Sequence, residues 1–305
     1  MIRAAFALML AGLCLHAYAG QACIQKTLGP SDVRAALSLA QDLADLLDRD
    51  QAQIAFVARV GEDLSRYGLR YSHVGIAWRG HPRGTWTMVE ELNECGTARS
   101  ALFDDGFGTF FLDDMYAYEA KIVVPSPTLQ RRIAAVLAAG AAGRMHDPHY
   151  NLVAYPWNTE YQNSNQWLLE TVAQGLAGKA IKTRAEAQAW LRQAGYRPTT
   201  LHLSPLERLG AELFSVNVAF DDHPLGRLLA GEVDVVSAES TLAFIQALDP
   251  GAVVQVISVR RHPVASACPP VATQGADRAC GTGRRLGDNP RATPRPEAHT
   301  DQAAT

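Results

Sequence analysis

Cysteine is scarce, at five in 305 residues. No two of them form a CxxC pair, and no Cys/His grouping has zinc spacing, which argues against a structural metal site. Neither sign of charge dominates: 28 Lys and Arg stand against 31 Asp and Glu, for a net charge of −3. Aromatic residues make up only 8% and are not interleaved with a basic face, so nucleic acid is excluded as the expected ligand. A GxGxxG and a P-loop are both missing, which disfavours a doubly wound nucleotide fold. Past the first twenty residues no apolar window is long enough for a membrane helix, and no internal repeat is present.

What the chain does have is 48% hydrophobic content, enough to exclude wholesale disorder. Arg3, the apolar stretch 4–15 and Ala17-Tyr18-Ala19 read as a secretory signal over 1–19, which predicts a periplasmic or secreted protein with no transmembrane anchor after processing. Leu13 and Gln21 argue against a lipoprotein box ahead of Cys14 or Cys23. From Pro263 onward Pro, Gly, Ala, Arg and Thr replace large apolar residues, so 263–305 reads as a disordered tail, with Arg278, Arg284, Arg285, Arg291 and Arg295 solvated. A single domain is expected over 20–262. Signal removal leaves Cys23, Cys95, Cys268 and Cys280. Four cysteines in an exported chain allow three pairings, of which Cys23–Cys95 with Cys268–Cys280 is favoured, against a reading with unpaired thiols.

Periodicity predicts a helix over 33–47, introduced by the turn Gly29-Pro30-Ser31-Asp32 with Ser31 or Asp32 as cap. Strands are expected at 54–60, 71–78 and 85–92, the last two as a hairpin, and at 118–124 after a short helix over 108–112. Helices follow at 128–142, 162–176 and 184–193, the last ending at Gly195. Strand-like runs return at 214–219, 233–236 and 253–259, with a helix over 240–247 capped by Ser237 or Ser240. This order argues for an α+β fold, an antiparallel or mixed sheet packed by helices.

Two segments could carry chemistry. In Ser72-His73-Val74-Gly75-Ile76-Ala77-Trp78, alternation sends Val74, Ile76 and Trp78 to one face and His73, Gly75 and Ala77 to the other. The two small residues leave room beside the imidazole, although a strand histidine also serves structural ends. In Tyr161-Gln162-Asn163-Ser164-Asn165-Gln166-Trp167, Ser164 shares a helix face with Leu168 and Val172 and so points inward at a helix N-terminus. Unpaired N–H groups there stabilise a developing oxyanion. The competing reading is that Ser164, Asn163 or Asn165 merely caps the helix. Asp221-Asp222-His223-Pro224 and His146-Asp147-Pro148-His149 read as turns rather than metal sites, the latter near enough to 150–157 to line a pocket. Tyr155, Trp157, Tyr161 and Trp167 suit an aromatic substrate wall or a core cluster equally.

Together, Ser72-His73-Val74-Gly75 and the helix-heading Ser164 resemble the circularly permuted papain-like superfamily, which includes NlpC-type peptidases and lecithin–retinol-type acyltransferases, with histidine ahead of the nucleophile in sequence. More closely, the span from Cys23 to about Val259 is similar to a family of exported bacterial proteins described only as a domain of unknown function. Leu64-Ser65-Arg66-Tyr67-Gly68, Ser72–Gly75, the segment 161–167 and Asp221-Asp222-His223-Pro224 carry that resemblance.

The papain-like resemblance implies a permuted papain-like fold with Ser164 as nucleophile, His73 as general base and a third residue orienting the imidazole. Glu90 is chosen for that role, with Glu91 the alternative on the opposite strand face. Gln162, Asn163, Asn165, Trp157 and Tyr161 are expected to bind substrate. Serine departs from the family's cysteine, and a hydroxyl needs stronger activation than a thiol. The expected function is therefore a hydrolase or acyltransferase acting on an amide or ester of the cell envelope, with a peptide, peptidoglycan or lipid substrate. The alternative is a catalytically inactive envelope binding or assembly factor of the same fold. No cofactor and no metal are expected.

Overall fold

Pro30 at the first helical position and Asp32, whose carboxylate accepts the Gly29 N–H at 3.2 Å, start helix α1 (Pro30–Arg49). The structure is a computed structural model, described over residues 27–113, 115–177 and 181–260. The signal expected at 1–19, the tail at 263–305, and Cys14, Cys23, Cys268 and Cys280 with the two pairings lie outside those residues.

Next come β1 (Ile54–Val60), β2 (His73–Trp78), β3 (Thr87–Asn93), β4 (Ser100–Gly106), the short helix α2 (Phe107–Phe111) and β5 (Ala117–Val124). They are followed by α3 (Pro127–Ala138), α4 (Ala141–Met145), α5 (Ser164–Ala177) and α6 (Arg184–Gln193). The last stretch holds β6 (Thr199–His202), α7 (Pro205–Phe214), α8 (Leu225–Leu229), β7 (Glu232–Val235), α9 (Ala238–Leu248) and β8 (Val253–Ser258). Strands β4-β3-β2-β1-β5-β8 form one sheet in that order, every adjacent pair antiparallel, and β6 and β7 form a separate antiparallel pair. The fold is thus α+β.

All seven residues of β1 are buried because both faces of the sheet are covered there. On one face Ala55, Val57, Ala77, Met88 and Ile122 pack against α1 and α2. On the other, Phe56, Val74, Ile76 and Val89 meet Ile133 of α3, Trp167, Leu168 and Val172 of α5, and Leu242 and Ile245 of α9. Helix α5 is consequently buried almost all round, as its run of apolar residues requires. A smaller cluster of Leu203, Phe220, Val233 and Val235 lies under the β6–β7 pair.

Several expectations are corrected. The helix predicted over 128–142 breaks at Gly140, whose φ of +76° ends α3 and starts α4. Strand β4 has no signal in the sequence, since an edge strand carrying Asp104 and Asp105 lacks an apolar alternation. Strand β6 and helices α7 and α8 are likewise additions to the expected elements. The run 214–219 is not a strand. Pro205 and a Ser204/Glu207 capping box start α7, which ends at Phe214. Beyond Phe214 the chain turns, pinned by Asn217 C=O to the Leu152 N–H (2.8 Å) and by Ala219 C=O to Asn151 Nδ2 (2.8 Å).

Candidate active site

The head of α5 separates capping from chemistry. Asn163 Oδ1 accepts the Gln166 N–H at 2.8 Å, so Asn163 is the cap and the Ser164 hydroxyl is free for another partner. That partner is His73, at the start of β2: Ser164 Oγ lies 3.1 Å from Nδ1. On its other side, His73 Nε2 lies 2.6 Å from Glu90 Oε2, a side chain of β3. A neutral imidazole protonated on Nε2 satisfies both contacts, donating to Glu90 and accepting the Ser164 O–H.

The sheet opens to let the helix in. The β2–β3 ladder runs over Ile76↔Val89, Ala77↔Met88 and Trp78↔Thr87. Beyond it the Val74 N–H donates to Asn165 Oδ1 (3.1 Å), and Asn165 Nδ2 donates to Ser72 C=O (3.3 Å). Asn165 therefore stands in for a strand partner and grips the main chain on both sides of His73. The room beside Gly75 is taken by Met88, whose Sδ would lie 2.6 Å from a Cβ there, and by Phe110, whose Cε2 would lie 3.4 Å away, so the helix close beside the imidazole is α2. Phe110 of α2 backs the imidazole at 6.0 Å between ring centres. Helix α5 instead covers the Val74 and Ile76 face.

Sequence reasoning missed Tyr150. It lies in irregular chain between α4 and α5, where no periodicity marks it, yet its phenol bears on Ser164. Burial and the nearby Glu91 carboxyl push the phenol's pKa up, opposed by hydrogen bonding with Ser164, so the ring stays protonated and able to donate. Glu91, on the reverse face of β3 from Glu90, is fully buried. Burial pushes its pKa up to about 8, opposed by Ser100 and Arg184. Ser100 Oγ donates to Asp147 C=O (3.3 Å) and lies 3.1 Å from His146 Nε2, and neither Glu91 oxygen has a hydrogen bond of good geometry.

The other expected substrate residues fall into two groups. Asn163 and Asn165 line a cavity with Ser164, but their amides are committed to main-chain groups: Asn163 Nδ2 donates to Leu152 C=O (3.3 Å) and Val236 C=O (3.4 Å). Gln162 is fully buried, away from that cavity, donating to Met145 C=O (2.9 Å) and to Glu170 (2.7 Å) and accepting the Asp147 N–H (2.8 Å). Glu170 also receives Gln188 (2.6 Å) and Arg184 (2.8 Å), a buried network that anchors α5 to α6. Trp157 lies under the Arg192 guanidinium at 4.7 Å, and Tyr161 donates to Asp221 (3.3 Å). Trp167 is a core residue, and Tyr155 packs against the His223 ring, so the four aromatics do not form one wall. Asp222 and His223 form a buried pair at 2.8 Å, with Asp222 also accepting the Tyr155 N–H (2.7 Å). Among the described residues no three His, Cys, Asp or Glu side chains gather as a metal site would require.

The model of a bacterial family described as an uncharacterized protein conserved in bacteria (DUF2145) matches residues 46–245, well over half of the chain. The chain belongs to the DUF2145 family. The stretch matched runs from the end of α1 into α9 and takes in His73, Glu90, Tyr150 and Ser164 of this DUF2145 protein. No curated protein and no solved structure matches the chain.

Proposed function

We propose that this DUF2145 protein is an exported serine hydrolase or acyltransferase that cleaves an amide or ester in the cell envelope. The single observation carrying the reading is the hydrogen-bonded line Ser164 Oγ–His73 Nδ1, His73 Nε2–Glu90 Oε2. Ser164 attacks the carbonyl carbon as His73 takes its proton, and Glu90 orients the ring and stabilises the imidazolium. The first N–H groups of α5, with the helix's positive end behind them, receive the oxyanion, aided by the Tyr150 phenol. His73 then delivers its proton to the leaving group, and water or an acceptor alcohol releases the acyl-enzyme.

The papain-like resemblance, histidine ahead of the helix-heading nucleophile, supports the same roles. Export accords with the signal read at 1–19 and with Cys95, which is held in a disulfide; Cys23 is the partner this reading assigns.

The test is labelling of the purified mature protein with a fluorophosphonate probe. The reading expects labelling that is lost in Ser164→Ala and falls steeply in His73→Ala. An unlabelled protein whose Ser164→Cys variant also resists an alkylating probe would overturn turnover and leave an envelope binding factor.

A further inference from the structure

Ser164 opens on a cavity of about 300 Å³ whose wall carries no Asp, Glu, Lys, Arg or His side chain. Leu69, Leu152, Leu203, Val218, Phe220 and Val235 are among its lining residues, with Ser164, Asn163, Asn165 and Tyr150 among the polar ones. Both asparagine amides are spent on main-chain carbonyls, and the wall offers a charged group hydroxyls but no opposite charge. We infer that this cavity takes the acyl chain of an ester, with the ester carbonyl at Ser164. The inference rests on the reading of Ser164 as a nucleophile and names the substrate class.

Two observations favour a hydrocarbon chain over a cell-wall peptide. A peptide rich in carboxylates and amines would lose its water here without gaining a charged partner, which is unfavourable. A chain of methylenes loses only apolar hydration, which favours its insertion. Second, α7, which helps to wall the cavity, is also apolar on its solvent side. Leu152 belongs to the wall and is half exposed, and α7 contributes Ala211 to the wall, joined by Ser215 just past its end. The same helix leaves Leu206, Leu209, Leu213 and Phe214 exposed, a stripe at helical spacing with none of its residues buried.

The chemistry balances without another reactant than water. The Ser164 Oγ–acyl carbon bond forms as the proton moves to His73 Nδ1. The ester C–O bond then breaks and the leaving oxygen takes that proton. Water attacks the acyl-enzyme, gives its proton through His73 back to Ser164, and releases the carboxylic acid.

Hydrolysis of p-nitrophenyl acetate, butyrate and octanoate by the mature protein tests the inference. We expect kcat/KM for octanoate to exceed that for acetate by at least about 100-fold, from a contribution of roughly 0.8 kcal/mol per buried methylene. Filling the cavity with Val218→Phe, or independently with Ala211→Phe, should lower the octanoate-to-acetate ratio. A second arm measures binding alone: the Ser164→Ala protein should bind cis-parinaric acid, and octanoate should displace it. Phospholipid vesicles, run beside dispersed p-nitrophenyl octanoate, show whether the chain is drawn from a lipid or from a soluble ester. Equal rates for all chain lengths, with no fatty acid bound by Ser164→Ala, would overturn the acyl cavity while leaving the hydrolase standing. Fatty acid binding without turnover of any ester would do the reverse.

Discussion

Glu90 and Glu91 are neighbours in the chain and occupy opposite faces of β3: Glu90 meets His73 Nε2 at 2.6 Å, whereas Glu91 is sealed on the α5 side with its pKa raised to about 8. One residue of register thus separates a carboxylate suited to hold an imidazole from a carboxyl that burial keeps protonated at neutral pH.

Glu90→Gln should leave the fold intact, since the amide fills the same volume, and should lower kcat by about 10²–10⁴ through a misoriented, unstabilised imidazole. Ester turnover or the rate of fluorophosphonate labelling, beside an unchanged circular dichroism spectrum, measures this. A rate within a few-fold of wild type would remove Glu90 from the mechanism.

Glu91→Gln should act on stability rather than chemistry. The folded protein holds a proton on Glu91 up to about pH 8, while the unfolded chain releases it near the ordinary glutamate value of 4.5. Between those values the folded state binds more protons, so stability falls as pH rises and levels off above about 8. The slope approaches about 1.4 kcal/mol per pH unit in mid-window, and glutamine removes it. Urea midpoints at pH 5, 7 and 9 should therefore converge for the variant. Parallel profiles for the two proteins would contradict the assignment.

Asn165→Ala strands the buried Val74 N–H and Ser72 C=O that flank His73. A loss of about 1–3 kcal/mol in stability is expected, together with a fall in kcat larger than any change in KM, because His73 loses its grip rather than the substrate its pocket. Denaturant unfolding and steady-state kinetics on one preparation check both halves.

Gly175 faces Ile133 so closely that an added Cβ would lie 2.4 Å from Ile133 Cδ1. Gly175→Ala should destabilise the α3–α5 contact despite alanine's helix preference of about 1 kcal/mol. In an Ile133→Val background, which deletes that methyl, the same substitution should become stabilising. A double-mutant cycle on thermal unfolding reads the change of sign.

Much of the site is legible before any tertiary contact. The strand alternation around His73 and the helical spacing behind Ser164 each follow from local periodicity, and both segments adopt the expected elements. Nothing local favours Glu90 over Glu91, because each is equally compatible with a strand. Tyr150 carries no signal at all, lying in chain whose path is set by distant partners such as Ala98, whose carbonyl takes its N–H at 3.0 Å. The amide side chains of 162–166 look interchangeable in sequence, yet three of them have separate duties: Asn163 caps, Asn165 bridges Ser72 and Val74, and Gln162 joins the Glu170 network.

For most elements, the two that carry Ser164 and His73 among them, the sequence by itself determined whether helix or strand forms, since that depends on backbone geometry and on residues a few positions apart; β4, β6, α7 and α8 are the exceptions. Only the tertiary structure decided that β2 and β3 part at Val74, that the head of α5 enters the gap, and that Ser164 meets His73 there across ninety-one positions of chain. Such a meeting depends on how whole elements pack, and packing is a property of all the buried surfaces together.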